Sequence, residues 1–305
     1  MKRRDFILKT AATSTLTSIT GFGSDFFEKS DVKKITILHT NDVHSHIDAF
    51  EASHPRNPNG GGVAKRAAVV SKIRSEETNV LLLDAGDIFQ GTPYFNYYGG
   101  ELEFKLMSMM GYDVATLGNH DFDNGIDGLY AQLPHAKFEF VSANYNFTNT
   151  ILNESVKPYT IKEKDGIRIG IFGLGIELKG LVDPGLYKET FYNDPIETAQ
   201  EITRILKEQE KCDMVICLSH LGFKYKSEPE KICDVLLAQK TKDIDLIIGG
   251  HTHTFLDKPL VFSNLEGKSV LVNQVGCYGI NLGRIDFYFS KDKKYYNTTK
   301  KIEII

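Results

Sequence analysis

The residues that could do chemistry fall in five short runs. Asp42 and His44 stand in HTNDVHSH, Asp87 in DAGDIFQGT, Asn119, His120 and Asp123 in GNHDFD, His220 in LSHLG, and His251 and His253 in GGHTH. Any one of these is also what a solvated loop or a capped turn carries. Five in series ask for a common explanation. Carboxylate oxygen, amide oxygen and imidazole nitrogen suit divalent zinc, manganese or iron, and no cysteine stands among them to select copper(I) or a cluster. Seven ligands of these types are more than one tetrahedral ion uses. Two ions sharing a carboxylate would use them all, and ions about 3.5 to 4 Å apart recur in phosphoester cleavage.

The elements that must hold these runs are legible in the hydrophobic pattern. ITILH (35–39), VLLLD (80–84), DVATL (113–117), FEFVSA (138–143), IRIGIFG (167–173), MVICLS (214–219) and LIIGG (246–250) read as strands. Most are continuously apolar, as strands buried on both faces are. Stretches of helical period lie between them at 63–77, 101–110, 195–210 and 229–239, with Pro195 and Pro229 suited to a first helical turn. This alternation predicts an α/β fold. The tail, SVLVNQV, YGINLGRIDFYFS and KKIEII, reads as antiparallel strands closing a sheet, with Gly267 and Gly279 at turns or bulges. In open α/β sheets ligands sit beyond the carboxyl ends of strands, so the five runs are expected to converge on one crevice. No linker divides the chain, and residues 31–305 are expected to form one domain.

Composition bounds the rest. The 305 residues are 41% hydrophobic and 25% charged with 26 Gly and 9 Pro, an ordinary globular mixture that excludes disordered, collagenous and multi-span membrane chains. A net charge of −4 without a long run of one sign argues against nucleic acid as the main partner. Cys212, Cys217, Cys233 and Cys277 form no CxxC pair and are expected to be buried small hydrophobes. The opening MKRRDFILKT and the weakly apolar AATSTLTSITGFG are too short to span a bilayer. Arg3 and Arg4 resemble a twin-arginine export signal, so residues 1–30 are expected to be a leader to the periplasm. No cysteine lies near Gly21–Gly23 to accept a lipid, and no stable membrane anchor is expected.

The five runs in this order, with the closing run NQVGCYGINLGRIDF, resemble the calcineurin-like metallophosphoesterases, and most closely the catalytic domain of the bacterial 5'-nucleotidase family, from about Ile35 to Phe287. The resemblance implies a four-layer α/β/β/α sandwich of two mixed sheets. It implies two divalent ions (zinc, manganese or iron(II)), with Asp42, His44 and His253 on the first, Asn119, His220 and His251 on the second, and Asp87 bridging them. A hydroxide made available near neutral pH by the ions would attack phosphorus in line. His120, next to a ligand, is expected to face the substrate as catalytic acid or phosphate contact, with Asp123 as its orienter. Asp121 is assigned no chemistry, and His46, His54 and His135 are read as surface or supporting residues. Asp84 is read as a support of the Asp87 loop or a strand-end cap, and Gly86, Gly118, Gly249 and Gly250 as permitting close backbone turns.

The substrate implied is a small phosphoester, foremost a nucleotide monoester. The alternatives are a phosphodiesterase, a UDP-sugar or sulfur-ester hydrolase, and a metal-binding subunit that is catalytically idle or partner-dependent. A complete ligand set with His120 and Asp123 favours the enzyme. Full-length members carry a C-terminal domain that grips the nucleoside. Ile305 follows the last catalytic-domain strand, so that domain is expected to be absent, and nucleoside recognition missing or supplied by a separately encoded partner chain. Gln90 stands where the purple acid phosphatases carry a metal-binding tyrosine, which argues against a ferric-tyrosinate centre.

Overall fold

The computed structural model describes residues 32–290 and 295–305; the leader lies outside them. The strands in chain order are β1 (Lys33–Thr40), β2 (Val80–Asp84), β3 (Val114–Ala115), β4 (Glu139–Phe140), β5 (Tyr145–Asn146), β6 (Tyr159–Lys164), β7 (Ile167–Gly175), β8 (Phe191–Tyr192), β9 (Met214–His220), β10 (Leu246–Gly249), β11 (Leu260–Ser263), β12 (Ser269–Asn273), β13 (Asn281–Phe289) and β14 (Tyr295–Glu303). One six-stranded sheet runs β14-β13-β1-β2-β3-β4 and a second runs β11-β12-β10-β9-β7-β6, with β5 and β8 as a small ribbon. Both sheets are mixed. In the first, β1, β2, β3 and β4 are parallel, β13 pairs antiparallel with β1, and β14 pairs antiparallel with β13. In the second, β7, β9, β10 and β12 are parallel and flanked by antiparallel β6 and β11.

Strand alternation sorts the core into layers. Ile35, Ile37, Leu81 and Leu83 of the first sheet meet Ile169, Ile171, Ile216, Leu218 and Ile248 of the second in one buried cluster between the sheets. The alternate residues Leu38, Val80 and Leu82 face α1 (Val63–Glu76) and, past α2 (Pro93–Tyr98), α3 (Glu101–Met110) and α4 (Gly125–Gln132). Beyond the short α5 (Pro184–Tyr187), Val215, Cys217, Ile247 and Val272 face α6 (Pro195–Arg204) and α7 (Asp234–Lys240). Strands covered on both faces explain the unbroken apolar runs, and the result is the four-layer α/β/β/α sandwich. Cys212, Cys217, Cys233 and Cys277 are buried and unpaired.

Three expectations change. The tail does not close one sheet: β12 joins the second sheet parallel to β10, and only β13 and β14 extend the first. Residues 274–280 therefore cross from one sheet to the other. Pro229 does not open a helix. Glu228–Lys231 is a turn, and α7 begins at Asp234, whose Oδ1 accepts from Ser219 Oγ at 2.5 Å. At α6, Asp194 Oδ1 caps the amides of Ile196 and Glu197 and Pro195 fills the first turn, but the α-helix gives way to a π turn at Ile205–Gln209. Among the described residues no helix is long and apolar enough to cross a membrane.

Candidate metal centre

The parallel strands deliver the five runs to one end of the sandwich: Asp42 follows β1, Asp87 follows β2, the Asn119 run follows β3, His220 ends β9, and His251 follows β10. The loops are tightly wound. Asp42, His44, Asp87, His251 and His253 all have positive φ, between 50° and 72°, conformations that cost energy and persist only where the surroundings impose them. Those surroundings are one another's backbones. A Cβ on Gly118 would sit 2.2 Å from Asp87 Oδ1, so a glycine there lets the third loop close onto the second. Asp42 accepts the His251 amide at 2.9 and 3.1 Å, and Asp87 Oδ1 accepts the His120 amide at 2.8 Å.

All seven expected ligands meet. Asp42, His44 and His253 form one compact group and Asp87, His220 and His251 a second. Asn119 joins the second through its Oδ1, 2.9 Å from His251 Nδ1. Asp87 Oδ2 lies 3.0 Å from His220 Nε2 and 3.7 Å from His44 Nε2, so it faces both groups.

The donor chemistry fits cations. His220 Nδ1 is 2.7 Å from the Ala85 carbonyl, which can only accept, so the neutral ring carries its hydrogen there and a lone pair on Nε2. That Nε2 is buried and aimed at the Asp87 carboxylate, 3.0 Å away. His44 repeats the arrangement, with Nδ1 3.2 Å from the Phe89 carbonyl and Nε2 3.0 Å from His253 Nε2. Lone pairs aimed at carboxylates and at each other repel unless positive charge lies among them. Protons are the weaker substitute. Burial disfavours the His220 imidazolium, yet Asp87 and Asp42 outweigh it and push its pKa up to about 10, and the bond to Asp42 raises His253 to about 10. Divalent ions would displace those protons. Burial likewise opposes ionisation of Asp87, but His220, then His44 and His120, hold its carboxyl well below the usual range.

His120 and His253 form the open rim, with 38% and 34% of their side chains exposed, while His220 and Asp42 are fully buried. His120 Nδ1 is 2.8 Å from Asp123 Oδ2. That bond raises the His120 pKa against the effect of burial.

Asp121, given no chemistry from sequence, is the residue that fastens two loops. Its carboxylate accepts the amides of Asp87, Ile88, Phe89 and Gly118 at 2.8–3.1 Å. Asp84, read as a loop support or a strand-end cap, accepts the Gly86 amide at 2.9 Å. Two further contributors were not singled out. Asn41 Nδ2 donates to Asp42 Oδ2 and to the Gly276 carbonyl, both at 2.6 Å. Tyr278, on the segment crossing between the sheets, donates its amide to the Asp42 carbonyl at 2.7 Å. The only signal for either was adjacency to a motif. His46 packs on Tyr278 and His54 on Phe50, so neither reaches the ligands.

Two mixed sheets whose strand ends supply Asp, Asn and His to a paired cation site define a metal-dependent phosphoesterase architecture. The family model for calcineurin-like phosphoesterase matches residues 35–255, and the chain belongs to that family. It is 35% identical over 296 residues to the trifunctional nucleotide phosphoesterase protein YfkN of Bacillus subtilis strain 168, covering 86% of this chain and 18% of that protein. It is 35% identical over 277 residues to snake venom 5'-nucleotidase of Crotalus adamanteus, covering 84% and 45%. The crystal structure of a 5'-nucleotidase precursor from Thermus thermophilus matches with a TM-score of 0.80 at 32% identity, over 89% of this chain and 54% of that one. The chain spans about half the length of the 5'-nucleotidases it matches, and less of the Bacillus protein.

Proposed function

We propose that the chain is a two-metal hydrolase of phosphoesters whose preferred substrates are nucleotide phosphomonoesters. The observation that carries this is Asp87 Oδ2 facing both groups, 3.0 Å from His220 Nε2 on one side and 3.7 Å from His44 Nε2 on the other. Asp42, His44 and His253 would hold one divalent ion and Asn119, His220 and His251 the other, with Asp87 shared. Bound there, the ions supply Lewis-acid polarisation of the phosphoryl oxygens and a nucleophilic water near neutral pH. The chain's own residues do the rest. Asp123 takes Nδ1 of His120, so Nε2 is the nitrogen a substrate meets. From the rim it can contact a phosphoryl oxygen or hand a proton to the leaving alkoxide. The amides of His120 and His251, each tied to a ligand carboxylate, hold the loops at fixed separation while charge moves.

Residues 31–305 serve as the catalytic domain in this reading, and Arg3 and Arg4 support twin-arginine export to the periplasm. Co-purification of a companion chain is the test of a partner that grips the nucleoside. The activity is tested by stripping the protein, reloading it with manganese or zinc, and measuring phosphate release from AMP, p-nitrophenyl phosphate and its diester, beside His120→Ala. Metal-dependent turnover that drops about 10²- to 10⁴-fold in the variant is the expected result. Two bound ions with no turnover on any ester would favour the idle-subunit alternative.

A further inference from the structure

We propose that the aromatic groove beside the metal centre is a nucleobase subsite built into this domain. The inference rests on the phosphoester reading for where the phosphate sits, and on the groove itself for what lies next to it. A cavity of about 700 Å³ opens between residues 46–51 and the start of α2, within the size range of small-molecule clefts. Its walls carry the rings of His46, Phe50, Tyr94, Tyr97 and Tyr98. Tyr97 is 83% exposed and packs edge-on against Tyr98 at 4.9 Å, so its ring is presented rather than buried.

Packed rings join the groove to the metal centre. Tyr278 lies 6.0 Å from His44 and 5.8 Å from His253, ring to ring, and 4.3 Å from His46, which is itself 5.0 Å from Phe50. A wall of rings thus leads from the first cation group into the cavity. Its charge decides what enters. Among the described residues neither Lys nor Arg lines it, while Asp48 and Glu51 do, so a second phosphate is repelled. A neutral flat heterocycle meets the opposite conditions: aromatic faces to stack on and carboxylate oxygens to accept its ring or exocyclic N–H groups. Tyr94 Oη donates to Asp48 Oδ2 at 2.7 Å, which fixes that acceptor at the wall. With the phosphate at the ions and the base in the groove, the leaving alkoxide of a nucleoside monophosphate falls between them, beside the rim.

Two measurements on the full, metal-loaded chain test this. In kinetics, AMP is compared with ribose 5-phosphate, which lacks the base, for wild type, Tyr97→Ala, Phe50→Ala and the ring-retaining Tyr97→Phe. The kcat/KM ratio of AMP over ribose 5-phosphate should fall about tenfold in each alanine variant, through KM for AMP, and hold in Tyr97→Phe. In calorimetry, adenosine, which has no phosphate, should bind wild type and lose a similar factor in the alanine variants. A ratio and an adenosine affinity unmoved by both alanine variants would overturn the subsite. Ring-dependent adenosine binding with no phosphate released from either ester would sustain the groove and remove the phosphoesterase reading.

Discussion

In the metal cleft each candidate ligand carboxylate is buried and bonded from a neighbouring loop, whereas in the groove that begins at His46 the Tyr97 ring has, among the described residues, only its neighbour Tyr98 to lean on. Asp42 is tied to the His251 amide and Asp87 to the His120 amide; Tyr97 touches Tyr98 and otherwise stands largely in solvent. The two regions share the Tyr278 wall and answer different demands. Positioning ions and reacting atoms needs side chains locked from several directions, and stacking a ring does not. The contrast predicts that substitutions in the cleft act on metal content and turnover, and those in the groove on substrate preference alone.

The largest effect is expected at Asp87. Asp87→Asn keeps the shape but removes the negative charge that offsets two cations, so metal analysis should find at most one ion per chain. Phosphate release should fall by on the order of 10³ or more. Two retained ions with turnover within tenfold of wild type would place the shared carboxylate elsewhere.

Asp121→Asn comes next and tests whether the cleft is held by its backbone. An amide cannot accept the four N–H groups that this carboxylate accepts. Two donors would face the new NH₂ in a site without solvent, costing about 3 kcal/mol in denaturant unfolding. Metal affinity should drop about 10- to 100-fold, because the Asp87 loop is no longer fixed to the Asn119 loop. Unchanged unfolding and unchanged metal titration would show that the loops hold their places without it.

Asp123→Asn should act on pH dependence more than on rate. Asp123 raises the His120 pKa by its hydrogen bond, so the imidazolium persists to higher pH. Without the carboxylate the pKa falls, and the alkaline limb of kcat, where a proton donor is lost, should move to lower pH. A limb that stays put, or moves up, would remove His120 as the donor.

These residues also show what the sequence could and could not reveal. Buried parallel strands leave continuous apolar runs, so VLLLD, MVICLS and LIIGG were legible, and the ligand runs at their ends with them. Edge strands carry no such signal: β6 is YTIKEK, half-exposed and mixed in polarity, and β11 pairs on one side only. Asp121 escaped because its work is to accept backbone amides, a task any buried carboxylate at the right place can do and no spacing announces. The division of the tail between two sheets was hidden for a related reason. Nothing in SVLVN or NLGRIDFYF names a sheet, and only the long-range pairing of Leu271 with Leu246, and of Ile285 with Ile37, assigns them to different partners. The left-handed backbone of Asp42, His44, Asp87, His251 and His253 was equally silent, since Asp and His occupy those positions where glycine would have marked them.

The smallest effect on the fold is expected at Tyr97, and its smallness is what sharpens the comparison. The ring is 83% exposed, so Tyr97→Ala removes little packing and should shift unfolding by no more than about 0.5 kcal/mol. Metal content should stay at the wild-type value, because α2 follows the Asp87 loop but supplies none of its bonds to Asp121. If the substrate preference of this variant changes while stability and metal content hold, recognition and chemistry are separable within one domain. A variant that loses stability or metal would instead show that the groove wall braces the cleft, and the two regions would have to be treated as a single device.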